Sequence, residues 1–318
     1  MNGLLKSAKM FNTTTVSDFV LLEFSETWEL QILHFIIFLV LYLASLMGNL
    51  LIISAVASDH HLHRPMYFFM MNLAIQDLGQ VSVIVPKSMA NSLLNTRQIS
   101  YSGCVAQILL FNFFISSNFF LLTLMAYDRY VAICNPLYYE MVMNKQAYIQ
   151  AVACVWISGF LHAVLHTSST FAAPFCSNVV NQFFCEIPQL LKLACSDLYL
   201  IEIGAVMLSF IIGLGCFSFI VVTYVQIFYA VLRIPSVQGR QKAYSTCIPH
   251  LTVIFTLFFT GFFAYLQSTS VLNLVFTMVY SMVPPMLNPV IYSMRNKEIK
   301  AAMSKLLGFS QSTSSSLF

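Results

Sequence analysis

The chain has 318 residues, of which 58% are hydrophobic, 14% aromatic and only 8% charged, with a net charge of +3. A soluble domain carries about 25% charged residues, so a water-facing surface for this length of chain, and with it a soluble enzyme, is excluded. Disorder needs low hydrophobicity and high net charge and is excluded too; so weak a positive charge gives a nucleic-acid partner no electrostatic support.

In chain order, the opening MNGLLKSAKM carries basic residues without an apolar core or cleavage site, so the first span is expected to direct insertion. Residues 1–29 are expected outside the membrane, with Asn12-Thr13-Thr14 an acceptor for N-glycosylation. Apolar runs long enough to span a bilayer recur at about 30–57, 66–89, 101–126, 147–167, 201–232, 246–267 and 272–293. They are continuous rather than alternating, which excludes a transmembrane barrel. The predicted fold is all-α: a seven-transmembrane helix bundle over 30–293, then a cytoplasmic helix and tail over 294–318. In that last stretch Ile299, Met303, Leu306 and Leu307 share one face, predicting a short amphipathic eighth helix on the inner leaflet.

With the N-terminus outside, ten of the fifteen basic residues lie on the inner side, as the charge rule for membrane orientation requires. The outer cysteines Cys104, Cys176, Cys185 and Cys195 face an oxidising compartment. Four cysteines allow three pairings, which spacing alone leaves open. Pairing Cys104 with Cys185 would fold the long loop between spans four and five over the bundle as a lid, leaving Cys176 for Cys195.

Several segments carry a resemblance. Met125-Ala126-Tyr127-Asp128-Arg129-Tyr130-Val131-Ala132-Ile133-Cys134-Asn135-Pro136-Leu137 resembles the MAYDRYVAICxPL signature of olfactory receptors, which are rhodopsin-like G-protein-coupled receptors. Gly48-Asn49, Leu62-His63-Arg64-Pro65-Met66-Tyr67, Lys242-Ala243-Tyr244-Ser245-Thr246-Cys247 and Pro285-Met286-Leu287-Asn288-Pro289-Val290-Ile291-Tyr292 match in the family's order. The outer cysteine set is most similar to the tetrapod-type class (class II), near its family 14. The resemblance implies an odorant receptor of olfactory neuron cilia that couples to a stimulatory, olfactory-type G protein and raises cAMP. Membrane lipid, arrestin and trafficking chaperones are the further partners it implies, with no cofactor; the alternative is a chemosensory receptor expressed elsewhere. It also implies a switch, with Arg129 of the Asp128-Arg129-Tyr130 motif held by Asp128 at rest and freed for the G protein. Tyr224 and Tyr292 would hold the active state, and Asn288-Pro289 would act as a hinge.

Asp77 lies at mid-depth in span two, where an ionisable residue is a functional candidate. The family usually adds a glutamate eleven residues before the motif arginine; here that residue is Asn118. Sodium binding is therefore expected to be weak or absent, with Asp77 neutral or hydrogen-bonded to Asn49 and Asn288.

Helical spacing places Phe111, Asn112, Ile115, Ser116 and Phe119 on one side of span three. The resemblance implies that Leu208, Ser209 and Ile212, then Phe258, Gly261, Phe262 and Tyr265, then Met278 and Ser281, complete a ligand cavity around them. Phe258 stands where the family usually has tyrosine. Phe111 stands where amine receptors carry aspartate, so an ammonium ligand lacks a counter-ion. The expected ligand is small, neutral, hydrophobic and volatile, with Asn112 and Ser116 as hydrogen-bonding groups. His162 and His166 are four apart, a chelating spacing, but two histidines are half a metal site and packing or loop bonding is expected instead. A transporter or channel would need a polar pathway, and an intramembrane enzyme would need paired catalytic groups; neither pattern is present.

Overall fold

The computed structural model describes residues 16–22, 27–94, 96–195, 199–266, 271–295 and 297–307. Asn12, the expected glycosylation site, lies outside them. Seven long helices form the bundle: α1 (Trp28–Ser58), α2 (Pro65–Leu94), α3 (Tyr101–Cys134), α4 (Lys145–Phe171), α5 (Tyr199–Leu232), α6 (Val237–Leu266) and α7 (Val271–Arg295). Among the described residues, α1 to α6 are long and apolar enough to cross a membrane. The seventh, α7, carries Pro284, Pro285 and Pro289 and packs against α1, α2 and α6.

Local chemistry sets the helix ends. Asp59 follows α1 and its carboxylate accepts from the His61 backbone N–H at 2.9 Å, turning the chain. The α2 helix begins at Pro65, whose missing N–H costs nothing in a first turn. Ser100 and Asn144 cap α3 and α4, accepting from the N–H groups of Gly103 and Ala147 at 3.1 and 3.0 Å. The helices outrun their apolar segments, α3 and α6 by the most: α3 continues to Cys134, and α6 starts at Val237, nine residues before its apolar run. The apolar run marks only the part of a helix that lipid surrounds. Polar residues such as Gln238 and Arg240 continue the same helix into water.

The expected eighth helix, α8 (Lys297–Leu306), is present. Its apolar face divides, since Ile299 and Ala302 are buried against the bundle while Leu306 and Leu307 remain exposed. The Tyr67 hydroxyl donates to the Glu298 carboxylate at 2.8 Å and fastens α8 to α2.

The outer end is more ordered than the sequence suggests. Three short strands, β1 (Asp18–Leu21), β2 (Gln98–Ser100) and β3 (Val179–Val180), form a sheet in the order β2-β1-β3. β1 runs antiparallel to β2, with Phe19 opposite Ile99, and parallel to β3, with Val20 opposite Val179. Phe19, Leu21 and Val180 are buried with Cys104 and Cys185. Disulfides join Cys104 to Cys185 and Cys176 to Cys195, with Cα atoms 5.6 and 5.5 Å apart. The first ties the loop between α4 and α5 to the outer end of α3.

Candidate functional site

A cavity of about 530 Å³ opens between α3, α4, α5, α6 and α7. Its α3 wall is Phe111, Asn112, Ile115, Ser116, Phe119 and Phe120. Ser116 lies twelve residues past Cys104, about 18 Å inward from the disulfide at the helical rise. Phe258 of α6 forms part of the floor, stacked on Phe217 of α5 with ring centroids 4.3 Å apart and planes 17° apart. Phe111 is held edge-on by Phe184 of the outer loop at 5.3 Å, so the loop reaches down to the cavity's roof.

Of the residues expected here, the cavity brings together Phe111, Asn112, Ile115, Ser116, Phe119, Ser209, Ile212, Phe258 and Gly261. Three do not join them. Leu208 is exposed on the lipid side of α5, because successive helical residues turn by about 100° and Ser209 takes the inward position. Met278 packs into the aromatic cluster around Phe111 and Tyr280 rather than facing the cavity. The buried Ser281 hydroxyl donates to the Thr277 carbonyl at 2.6 Å, and its own carbonyl accepts from Gln80 of α2 at 2.8 Å. The side chains of Phe262 and Tyr265 lie outside the described residues.

Three polar lining residues were not expected: His162, His166 and Tyr280. The histidines neither bond to a loop nor pack passively. His162 bridges Ser116 of α3 and Ser209 of α5 at 2.9 and 2.8 Å. His166 bridges the same Ser209 and Glu202 of α5 at 2.7 and 2.5 Å. Glu202 was missed as well. Its signal was a lone acid inside the apolar run Leu200-Ile201-Glu202-Ile203, at the depth where α4 offers a histidine, since a buried acid needs a partner. Tyr280 donates to Glu186 of the outer loop at 2.6 Å. Burial pushes the Glu186 carboxyl above the usual carboxylate range, against the hydrogen bonds from Tyr280 and Gln182 that favour its charge. Among the described residues, no group of three or more His, Cys, Asp or Glu is arranged to hold a metal ion.

Below the cavity, Asp77 is fully buried. Its two oxygens accept from the amides of Asn118 and Asn288, each at 2.8 Å. Asn49 does not reach it. That amide is used by the Ser45 and Pro285 carbonyls, both at 2.9 Å, where it bridges α1 to the proline-rich part of α7.

A family model described as Olfactory receptor matches residues 38–309 of this chain. The chain belongs to the olfactory receptor family. It is 49% identical over 302 residues to human Olfactory receptor 14I1, covering 93% of this chain and 97% of that one. It is 47% identical over 303 residues to human Olfactory receptor 14A16, covering 94% and 98%. The fold is that of rhodopsin: the crystal structure of squid rhodopsin superposes with a TM-score of 0.72 at 15% identity, covering 89% of this chain and 87% of that one. The receptor is thus an odorant-sensing, multi-pass protein of the plasma membrane, near family 14 as its cysteines and motifs suggested, and not an enzyme.

At the inner end of the receptor, Asp128 and Arg129 are both buried. The expected Asp128–Arg129 ion pair is absent among the described residues. Asp128 instead accepts from the hydroxyl of Tyr139 at 2.8 Å. Tyr139 opens the short helical turn Tyr139–Val142 that follows α3. Burial and the Asp128 charge raise the Tyr139 hydroxyl well above its ordinary value, which keeps it a donor. A second contact joins Tyr224 of α5 to His250 of α6, at 2.6 Å between the hydroxyl and Nδ1. Tyr130 is half-buried against the inner core cluster. Pro289 packs against Gly48, where a Cβ would come within 2.9 Å of the proline ring. The side chain of Tyr292 lies outside the described residues.

Proposed function

We propose that the cavity binds one small, neutral, hydrophobic volatile molecule, and that the receptor passes this to a stimulatory, olfactory-type G protein that raises cAMP. One observation carries the reading. The cavity is walled by aromatic and aliphatic side chains, and its lining holds no Lys, Arg, Asp or Glu among the described residues. Such a surface stabilises an apolar ligand by removing it from water and places no carboxylate, ammonium or guanidinium in contact with it. Asn112 and Ser116 supply the hydrogen bonds that orient it. The Asn112 amide donates to the Ile108 carbonyl at 3.0 Å, which leaves its oxygen and its second N–H for the ligand. Binding acts by population shift: the ligand favours the state that it fits better.

At the inner end, Arg129 of the Asp128-Arg129-Tyr130 motif is the group that meets the G protein, and Tyr224 helps to hold the active state. The α7 prolines and Asn288 carry the change inward, and Tyr292 holds the active state. Asn12 carries the glycan, and arrestin and trafficking chaperones complete the set of partners. A cAMP reporter screen of neutral volatiles on the full chain, run beside Arg129→Ala at matched surface expression, tests both halves. Neutral agonists that act on the wild type and fail on Arg129→Ala are expected. A screen that returns only charged agonists would overturn the cavity reading. Undiminished signalling by Arg129→Ala would overturn the coupling.

A further inference from the structure

The polar end of the cavity is one continuous hydrogen-bonded chain. Ser116 Oγ meets His162 Nδ1 at 2.9 Å and His162 Nε2 meets Ser209 Oγ at 2.8 Å. Ser209 Oγ also meets His166 Nε2 at 2.7 Å, and His166 Nδ1 meets Glu202 Oε1 at 2.5 Å. Ser116, His162, Ser209 and His166 line the cavity, while Glu202 lies buried behind them. The second carboxylate oxygen of Glu202 has no hydrogen-bond partner.

Each hydroxyl and each neutral imidazole has a single proton to donate, so the direction of one bond fixes the rest. With Glu202 ionised and both imidazoles neutral, His166 gives its Nδ1–H to Glu202 and its Nε2 accepts from Ser209. Ser209 in turn accepts from His162 Nε2–H, and His162 Nδ1 accepts from Ser116. Ser116 has then spent its proton and shows only lone pairs to the cavity. One proton taken from extracellular water by the hydrogen-bonded His166–Glu202 pair turns His166 Nε2 from acceptor to donor. Ser209 must now donate to His162 Nε2, His162 donates from Nδ1 to Ser116, and the Ser116 O–H is released into the cavity. The chain passes from a net charge of one negative to neutral.

We propose that this chain selects the ligand's polar group by its own protonation, accepting alcohols in either state and ketones only when it holds the extra proton. A ligand hydroxyl both donates and accepts, so it pairs with Ser116 in either direction. A carbonyl only accepts, so at Ser116 it needs the released proton, and in the other state it forfeits that bond. The proposal rests on the cavity being the ligand site. Around the chain, α3 presents Phe111, Asn112 and Phe120, and α6 presents Phe258 and Gly261, none of which titrates in this range. The α7 wall presents Tyr280, and the outer loop presents Glu186 hydrogen-bonded to it.

The test uses the full receptor in a cAMP reporter assay, with cyclohexanol against cyclohexanone and borneol against camphor. Potencies are read between extracellular pH of about 8 and about 5. The ketone-to-alcohol potency ratio is expected to rise on acidification, by up to about tenfold per pH unit for one linked proton. In Glu202→Gln the amide can donate to His166, so the reversed chain forms without a proton and the ratio becomes high and flat. His162→Phe cuts the chain before Ser116, flattens the ratio as well, and serves if the first variant fails to reach the surface. Glu186→Gln leaves the slope in place. A wild-type ratio that does not change with pH, or a slope that survives both chain variants, would overturn the proposal. Silence toward both members of each pair at every pH, together with a screen that returns only charged agonists, would instead remove the cavity reading beneath it.

Discussion

Asn118 occupies the position where the family's usual glutamate would bring a second negative charge beside Asp77. In this receptor it gives Asp77 an amide hydrogen bond instead, opposite the one from Asn288. The substitution replaces an ion ligand with an internal donor, so replacing external sodium with a larger cation is expected to leave basal cAMP unchanged. Asn118→Ala removes one donor from a buried acid and is expected to cost about 1–3 kcal/mol, measured as a lower melting temperature in detergent. A second prediction concerns Tyr139. Its hydroxyl occupies one carboxylate oxygen of Asp128. Tyr139→Phe frees Asp128 to pair with Arg129, and a fall in both basal and agonist-stimulated cAMP at equal surface expression is expected. Unchanged signalling would mean that the contact is only structural.

At the scale of elements, helices approach closely where the chain has no side chain to keep them apart. A Cβ at Gly159 of α4 would overlap the Ser117 hydroxyl of α3. This approach brings His162, one turn further along α4, within reach of Ser116. Gly159→Val should therefore separate α3 from α4 and lower surface expression, at a cost of about 1–3 kcal/mol for overpacking. It should also weaken the Ser116–His162 bond and the response to ligand in whatever receptor reaches the surface. Gly159→Ala is expected to be milder in both respects. The outer sheet is a second such element. Its strands come from three segments distant in sequence, and β3 is only two residues long. No alternation of hydrophobicity over so few residues announces a strand, which is why the lid was legible in its cysteines and not in its backbone.

For the molecule as a whole, the lid and the bundle are joined by an acid–hydroxyl contact, Glu186 to Tyr280. Burial raises the Glu186 carboxyl above its ordinary value, so the folded state binds a proton that the unfolded chain releases. The stability from this proton is fully present below the ordinary carboxylate value of about 4.3. It is lost as pH rises through the raised value. Melting temperature in detergent is therefore expected to fall across that window, and Glu186→Gln, which stays neutral, should remove this part of the dependence. A dependence unaltered in Glu186→Gln would place the linkage elsewhere.

The sequence by itself determined the seven long helices of the bundle, their order and the family. These follow from runs of apolar residues and from motifs whose order along the chain is fixed. It also brought most of the α3 wall into view, because the period of a helix decides which residues share a face. The tertiary structure decided how each helix is rotated, and so which neighbouring residue turns inward: Ser209 and not Leu208, Tyr280 and not Ser281. It alone decided that His162 and His166 meet through Ser209 and that Glu202 meets His166. A polar side chain in an apolar helix announces that it must find a partner. Which partner it finds depends on the depth and rotation of another helix, and these are set by packing across the whole bundle.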